Sequence, residues 1–211
     1  DRLGGLTFDS RDVLHALKYV EDVAKTDLQR VVERLEEAIN SKTPLVILNT
    51  SRFKEGDTLD PGRAKIAYYA ALALDAWLRK NGYEYGLAVT SIYTDPPMAV
   101  SFEMGRRGRY VERLTVQSMI GGERDFIVTM LGKEYSTDAY EEYATLYARE
   151  PELLNVQLSR HRRLQVVVGC VSCLTKFKPR PGRVRDERIK TTGKAMLDLV
   201  HDGKAVYYDF G

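Results

Sequence analysis

Between Ser10 and Pro44 the apolar positions Val13, Leu17, Val20, Ala24, Leu28, Val31, Leu35 and Ala38 recur in steps of three or four, one stripe along an α-helix. Ser10 is placed to cap its start, and Thr26 with Gln29 has the form of a second capping box, so the stripe reads as one bent helix or two helices broken near Lys25. Its alanine and valine content suits packing on a sheet better than a free coiled coil.

The period then changes. "PLVILNTS" from Pro44 is a short apolar run bounded by turn residues, "DPGRAKIAYYAALALDAWLRKNG" opens on Asp60 and Pro61 as helices do and closes at Gly82, and "YGLAVTSIY" is strand-like again. That order predicts a parallel βαβ unit with a right-handed crossover. After "TDPP", the runs "MAVSFEMG", "RYVERLTVQSMI" and "RDFIVTMLG" are separated by the glycine-bearing turns at Gly105 to Gly108 and Gly121 to Gly122, which predicts an antiparallel meander. An acidic helix is expected from Ser136 to about Arg149, then a long strand "LQVVVGCVSCLTKF", a helix "TTGKAMLDLVHDG" and a last strand "KAVYYDF". With no repeat and no linker, the expected architecture is a single α+β domain over residues 1–211. It joins a parallel βαβ element to an antiparallel meander in a mixed sheet, with helices on at least one face.

Composition adds little to this picture: 211 residues, 44% hydrophobic and 29% charged, are ordinary globular values. No apolar window is long enough for a membrane span, and "DRLGGLTFDS" lacks the pattern of a signal peptide. The distribution of charge says more. Arg160 to Lys190 holds ten cations against Asp186 and Glu187, a balance of +8 that leaves −6 for the remainder of a chain whose net charge is +2. "RRGRYVER" at Arg106 to Arg113 adds four arginines, and the acidic pole is Glu134 to Glu152.

"KFKPRPGRVRDERIK" at Lys176 to Lys190 contains Pro179 and Pro181, which predict an extended basic arm able to span about 50 Å. Guanidinium groups grip phosphate in bidentate fashion, and neutralised phosphates release counterions. The expected contacts to nucleic acid, another polyanion or an acidic neighbour are Arg106, Arg107, Arg109, Arg160, Arg162, Arg163, Lys176, Lys178, Arg180, Arg183, Arg185, Arg188 and Lys190. Tyr140, Tyr143 and Tyr147 share one face of the acidic helix, as core or as subunit interface, and a basic arm meeting that helix on a second copy would make the chain a homo-oligomer or part of a larger assembly.

Candidates for chemistry are few. Cys170 and Cys173, three apart in an expected strand, would be about 10 Å apart against a disulfide limit of about 7 Å, which predicts free thiols. His15, His161 and His201 are too scattered for a metal site. Asp95, Glu103, Glu112 and Asp125, with Lys133, are the carboxylates that an alternative reading as a metal-dependent nuclease would use. "TDPPM" at Thr94 to Met98 resembles the Asp-Pro-Pro-aromatic motif of amino-group methyltransferases, with Met98 in place of the aromatic and no Phe-x-Gly-x-Gly loop. "IKTTGKAMLDLVHDGKAVYYDF" resembles the closing helix and wing of a winged-helix module, over about a tenth of the chain, which would imply DNA binding. Neither a phosphate-cradling glycine loop nor a nucleophile elbow is present, and no cofactor is expected. The expected function is a non-enzymatic component of a nucleoprotein or virion-like assembly, cytoplasmic or inside such a particle and without a membrane partner.

Overall fold

The computed structural model describes residues 2–18, 25–50, 61–131, 151–176, 181–182 and 184–210. The long apolar stripe is two helices, α1 (Ser10–Leu17) and α2 (Lys25–Asn40). The cap of α1 is Asp9, not Ser10: its carboxylate accepts from the N–H groups of Arg11 and Asp12 at 2.9 and 3.2 Å. Strand β1 (Leu45–Asn49), helix α3 (Pro61–Lys80) and strand β2 (Leu87–Ser91) follow as the sequence predicts.

The meander does not form. "TDPPMAVSFEMGR" is helix α4 (Asp95–Arg106), with both prolines in its first turn where no N–H is needed. Val100 and Met104, one turn apart, are buried. The chain leaves α4 through Gly108 at φ +64° and enters β3 (Glu112–Thr115), which lies parallel to β2 with Ala88 opposite Glu112. A 3₁₀ turn (Gln117–Met119) leads to β4 (Arg124–Met130), parallel to β2 on its other side. Helix α5 (Pro151–Ser159) precedes β5 (His161–Gly169), and α6 (Val171–Lys176) and α7 (Val184–His201) precede β6 (Val206–Asp209).

The sheet therefore runs β3-β2-β4-β5-β1-β6 with every pairing parallel. The expected mixed α+β sheet is thus replaced by an α/β, Rossmann-like arrangement. Both faces are covered. Val46, Leu48, Val89, Phe126, Val128, Val166 and Val168 meet α1 to α4, whereas Ile47 and Val167 meet α5 to α7 through Leu153, Leu154, Leu174 and Met196. Burial on two sides is why the strands read as continuous apolar runs. Trp77 of α3 ties one layer together, with ring centroids 5.4 Å from Phe8 and 5.6 Å from Phe126, and its indole N–H donates to the Thr7 carbonyl at 2.8 Å.

The expected extended arm is also shorter than its charge pattern suggests, because α7 begins at Val184. Pro181 lies ahead of the helix, where it removes no hydrogen bond. Gly193 fixes how α7 packs: a Cβ there would stand 2.6 Å from the Leu174 Cβ and 3.1 Å from the Leu174 backbone, so only glycine admits α6 so closely.

Candidate anion-binding rim of the sheet

All strands point the same way, so the sheet has one rim where strands begin and one where they end. In open parallel sheets ligands bind at the second, at the point where neighbouring connections diverge. Here that point lies between β2, whose chain leaves through α4 on one face, and β4, whose chain returns through α5 on the other. The rim there is built from Ser91 to Asp95, Leu131 and Arg63. Arg63, in the first turn of α3, is buried and donates through Nη1 to the Leu131 carbonyl. Further along, Asn49 at the end of β1 donates to the Asp209 carboxylate at 2.9 Å, and burial with Asp209 beside it pushes the Tyr207 phenol up to about 12.

The basic half of α7 sits at this same rim. Helix α6 starts directly after the end of β5 and packs on α7 at Gly193, so the α7 residues before Gly193 lie at or beyond the strand ends. Arg188 and Lys190 are exposed there, and neither has a side-chain partner among the described residues. Lys176 lies in α6 and Arg185 in α7. Lys178, Arg180 and Arg183 lie outside the described residues.

The other expected contact residues stand at the opposite rim, and all but Arg160 have side chains held by the chain itself. Arg106 pairs with Glu103 within α4 at 3.3 Å, while Arg107 donates to the Tyr68 hydroxyl at 2.6 Å and Arg109 reaches the buried Asp75 at 2.5 Å, and these last two pin the end of α4 to α3. Arg162 pairs with Glu123 at 3.2 Å. Arg163 lies 3.6 Å from Asp125, stacks 4.2 Å from the Tyr85 ring centroid and donates to the Arg2 carbonyl at 3.1 Å. Arg160 is the exception: only its backbone carbonyl is engaged, by the Arg124 N–H at 3.1 Å, and its side-chain Nε is buried with no hydrogen-bond partner among the described residues.

The nuclease carboxylates do not converge. Asp95 starts α4 at the strand-end rim, Glu103 lies further along α4, and Glu112 and Asp125 begin β3 and β4 at the other. The Arg124 guanidinium grips Glu112 at 2.5 and 2.7 Å and holds its carboxyl below the usual range. Asp125 accepts from the Gly86 N–H at 3.1 Å. Lys133 and the tyrosines Tyr140, Tyr143 and Tyr147 lie outside the described residues. Among the described residues no group of three His, Cys, Asp or Glu side chains could hold a metal ion.

Three smaller expectations change. Cys170 is disulfide-bonded, and the sequence contains one other cysteine, Cys173. The chain turns into α6 after Gly169, where residues three apart lie within about 6 Å instead of the about 10 Å of a strand. Asp95, Pro96 and Pro97 form the first turn of a helix, with the prolines buried. The winged-helix resemblance fails because β6 pairs parallel with β1 instead of forming a hairpin.

No helix among the described residues is long and apolar enough to cross a membrane. The sequence matches no protein-family model and no curated protein. The arm expected to be extended over Lys176 to Lys190 is helical from Val184 onward. Arg63, an arginine in the first turn of a helix whose middle is apolar, is the sequence signal for a buried cation at the rim.

Proposed function

We propose that this protein is a non-enzymatic, nucleic-acid-binding component of a nucleoprotein assembly, and that it grips phosphates through the Lys176 to Lys190 segment at the strand-end rim. The observation that carries this reading is the contrast within the basic residues: the arginines of the strand-start rim are largely held by the chain's own groups, whereas Arg188 and Lys190 stand exposed without a carboxylate partner among the described residues. Unpaired cations release counterions when they meet phosphate, while paired ones must first give up a partner.

The test is anisotropy with a labelled random-sequence oligonucleotide. Affinity should fall at least about tenfold between about 50 and about 200 mM salt, as expected for three or more phosphate contacts. Replacing Arg180, Arg183 and Arg185 by alanine should weaken binding and flatten that salt dependence. Binding indifferent to salt, or unchanged in the triple variant, refutes the proposal. A solution mass above that of one chain is the companion expectation for the assembly.

A second reading is favoured by the diverging β2/β4 connections with Arg63 beside them: a small phosphorylated molecule as the ligand of the same rim. Displacement of the oligonucleotide by a mononucleotide at comparable concentration would select that reading.

A further inference from the structure

At the opposite rim a cavity of about 660 Å³ opens between the starts of β1 and β5, the end of α5 and the last turns of α7. The strand register makes it. Leu45 opens β1 opposite Gln165, whereas β5 already begins at His161, so β5 reaches further than β1 and leaves a step that α5 and α7 close over. Leu45, Leu158, Met196 and Leu199 form its apolar wall. The volume falls in the range of small-molecule sites.

Every polar side chain of the lining is already engaged within the protein. The Ser41 and Thr43 hydroxyls bond each other at 2.9 Å, Lys42 donates to the Leu6 carbonyl, and Lys204 pairs with Asp202 at 3.3 Å. Gln165, fully buried, donates through Nε2 to the Gln157 carbonyl at 2.7 Å and to the Thr129 hydroxyl at 2.9 Å. His161 Nε2 accepts from the Arg2 guanidinium at 3.1 Å, and Gln165 is a second hydrogen-bond partner of the ring. The remaining polar atoms of that pair, His161 Nδ1 and Gln165 Oε1, have less than 1 Å² of accessible surface each, so neither is presented to the cavity. What the recess offers is hydrocarbon, with no polar group that calls for a ligand. Water inside would meet few of the two to four polar partners it needs.

We infer that this cavity binds a small, uncharged, hydrocarbon-rich molecule, held by the burial of apolar surface alone. A charge or an amide carried into the recess would leave water without gaining a partner there. The occupant is a small molecule and not a protein surface, because the apolar area is confined to the recess. Leu199, 36% exposed, is the one large apolar side chain exposed at its edge, beside exposed Ser41, Gly203 and Lys204. The other exposed large apolar side chains of the described residues, Met98, Phe102, Tyr110 and Ile120, belong to the stretch from α4 to the turn after β3, at the far side of the sheet. A stable protein interface takes about 800 Å² from each partner, far more than a recess edged by one leucine supplies.

The probes are benzene, ethylbenzene, butylbenzene and benzamide, added to the full chain and followed by calorimetry and by the methyl resonance of Met196. The hydrocarbons should bind saturably at one site per chain, shift that resonance, and gain about three- to fourfold in affinity for each added CH₂. Benzamide should bind at least about tenfold more weakly than ethylbenzene. Ala195→Trp adds bulk from an exposed helix position that lines the cavity, and it should abolish binding while leaving the unfolding midpoint near that of the parent. Binding that does not saturate, affinity indifferent to chain length, benzamide equal to ethylbenzene, or undiminished binding in Ala195→Trp each overturns the inference. So does a two-chain solution mass that Leu199→Asp, but not butylbenzene, reduces to one chain, which would seat a second copy on the recess.

Discussion

Arg109 and Arg188 come from the two most basic stretches of the chain, and their surroundings differ. Arg109, 22% exposed, closes on the carboxylate of Asp75, itself 9% exposed, and fixes the exit of α4 against α3. Arg188 stands in water on α7 without a partner among the described residues. A cluster of arginines in sequence thus serves two physical purposes. At the strand-start rim it satisfies carboxylates and carbonyls that folding would otherwise leave unpaired; at the strand-end rim it presents charge outward. Local net charge does not separate the two, because the partners of the first group come from distant segments: Asp75 lies 34 residues from Arg109, and Asp125 belongs to a different strand from Arg163.

The sharpest way to break this comparison is Asp75→Ala, which strands Arg109 and Arg79 around a vacated, mostly buried position. Urea unfolding should show a loss of about 2–3 kcal/mol with oligonucleotide affinity unchanged, less than the cost of breaking a fully buried pair because both arginines reach solvent. A loss below about 0.5 kcal/mol would place Arg109 with the surface charges.

Arg163→Ala removes the Tyr85 stack, the Asp125 contact and a bond to the Arg2 carbonyl, and should cost about 1–2 kcal/mol. Arg163→Lys should recover only part, since ammonium lacks the planar stack. Gly193→Ala forces a methyl group to within 2.6 Å of Leu174 and should cost about 1–3 kcal/mol through displacement of α6, which carries the rim.

The double change Arg188→Ala with Lys190→Ala should move stability by no more than about 0.5 kcal/mol while lowering oligonucleotide affinity and the salt slope by about 0.7 per lost phosphate contact. Stability and binding would then respond to different arginines.

The smallest effect is in pH. Arg124 lowers the Glu112 carboxyl, so its stabilisation is complete above the ordinary value of 4.5 and is lost as pH falls through the lowered one. The pair is about one-third exposed, so the contribution stays below about 1 kcal/mol. His161, also lowered, acts in the same direction from 6.5 downward. Stability measured from pH 7 to pH 3 should therefore fall, and Glu112→Gln should flatten the acidic part of the curve. Tyr207, raised to about 12, contributes stability that is complete below 10 and disappears as pH rises through 12.

Much of the local structure was legible. The three-and-four spacing gave α1 and α2, the Asp-Pro opening and Gly82 bounded α3 closely, and the apolar runs gave β1, β2 and β6. The failure at α4 was a failure of period. "MAVSFEMG" alternates well enough for a strand, yet its buried members Val100 and Met104 are one helical turn apart, and the prolines ahead of them open a helix. A strand in that segment requires hairpins between β2, β3 and β4, and a helix there permits the parallel pairings that form. The strand-end rim was legible mainly as charge, since the divergence of α4 and α5 leaves no mark in neighbouring residues.

The sequence alone determined the placing of α1 to α3 and of β1, β2 and β6, and which segments carry cationic charge, because periodicity and composition act over a few residues. Only the tertiary structure decided the strand order, the face each helix covers, which arginines are neutralised, and the meeting of His161 with Gln165 over an apolar cavity. Those outcomes depend on side chains far apart along the chain competing for the same neighbours, and local pattern carries no record of who their neighbours will be.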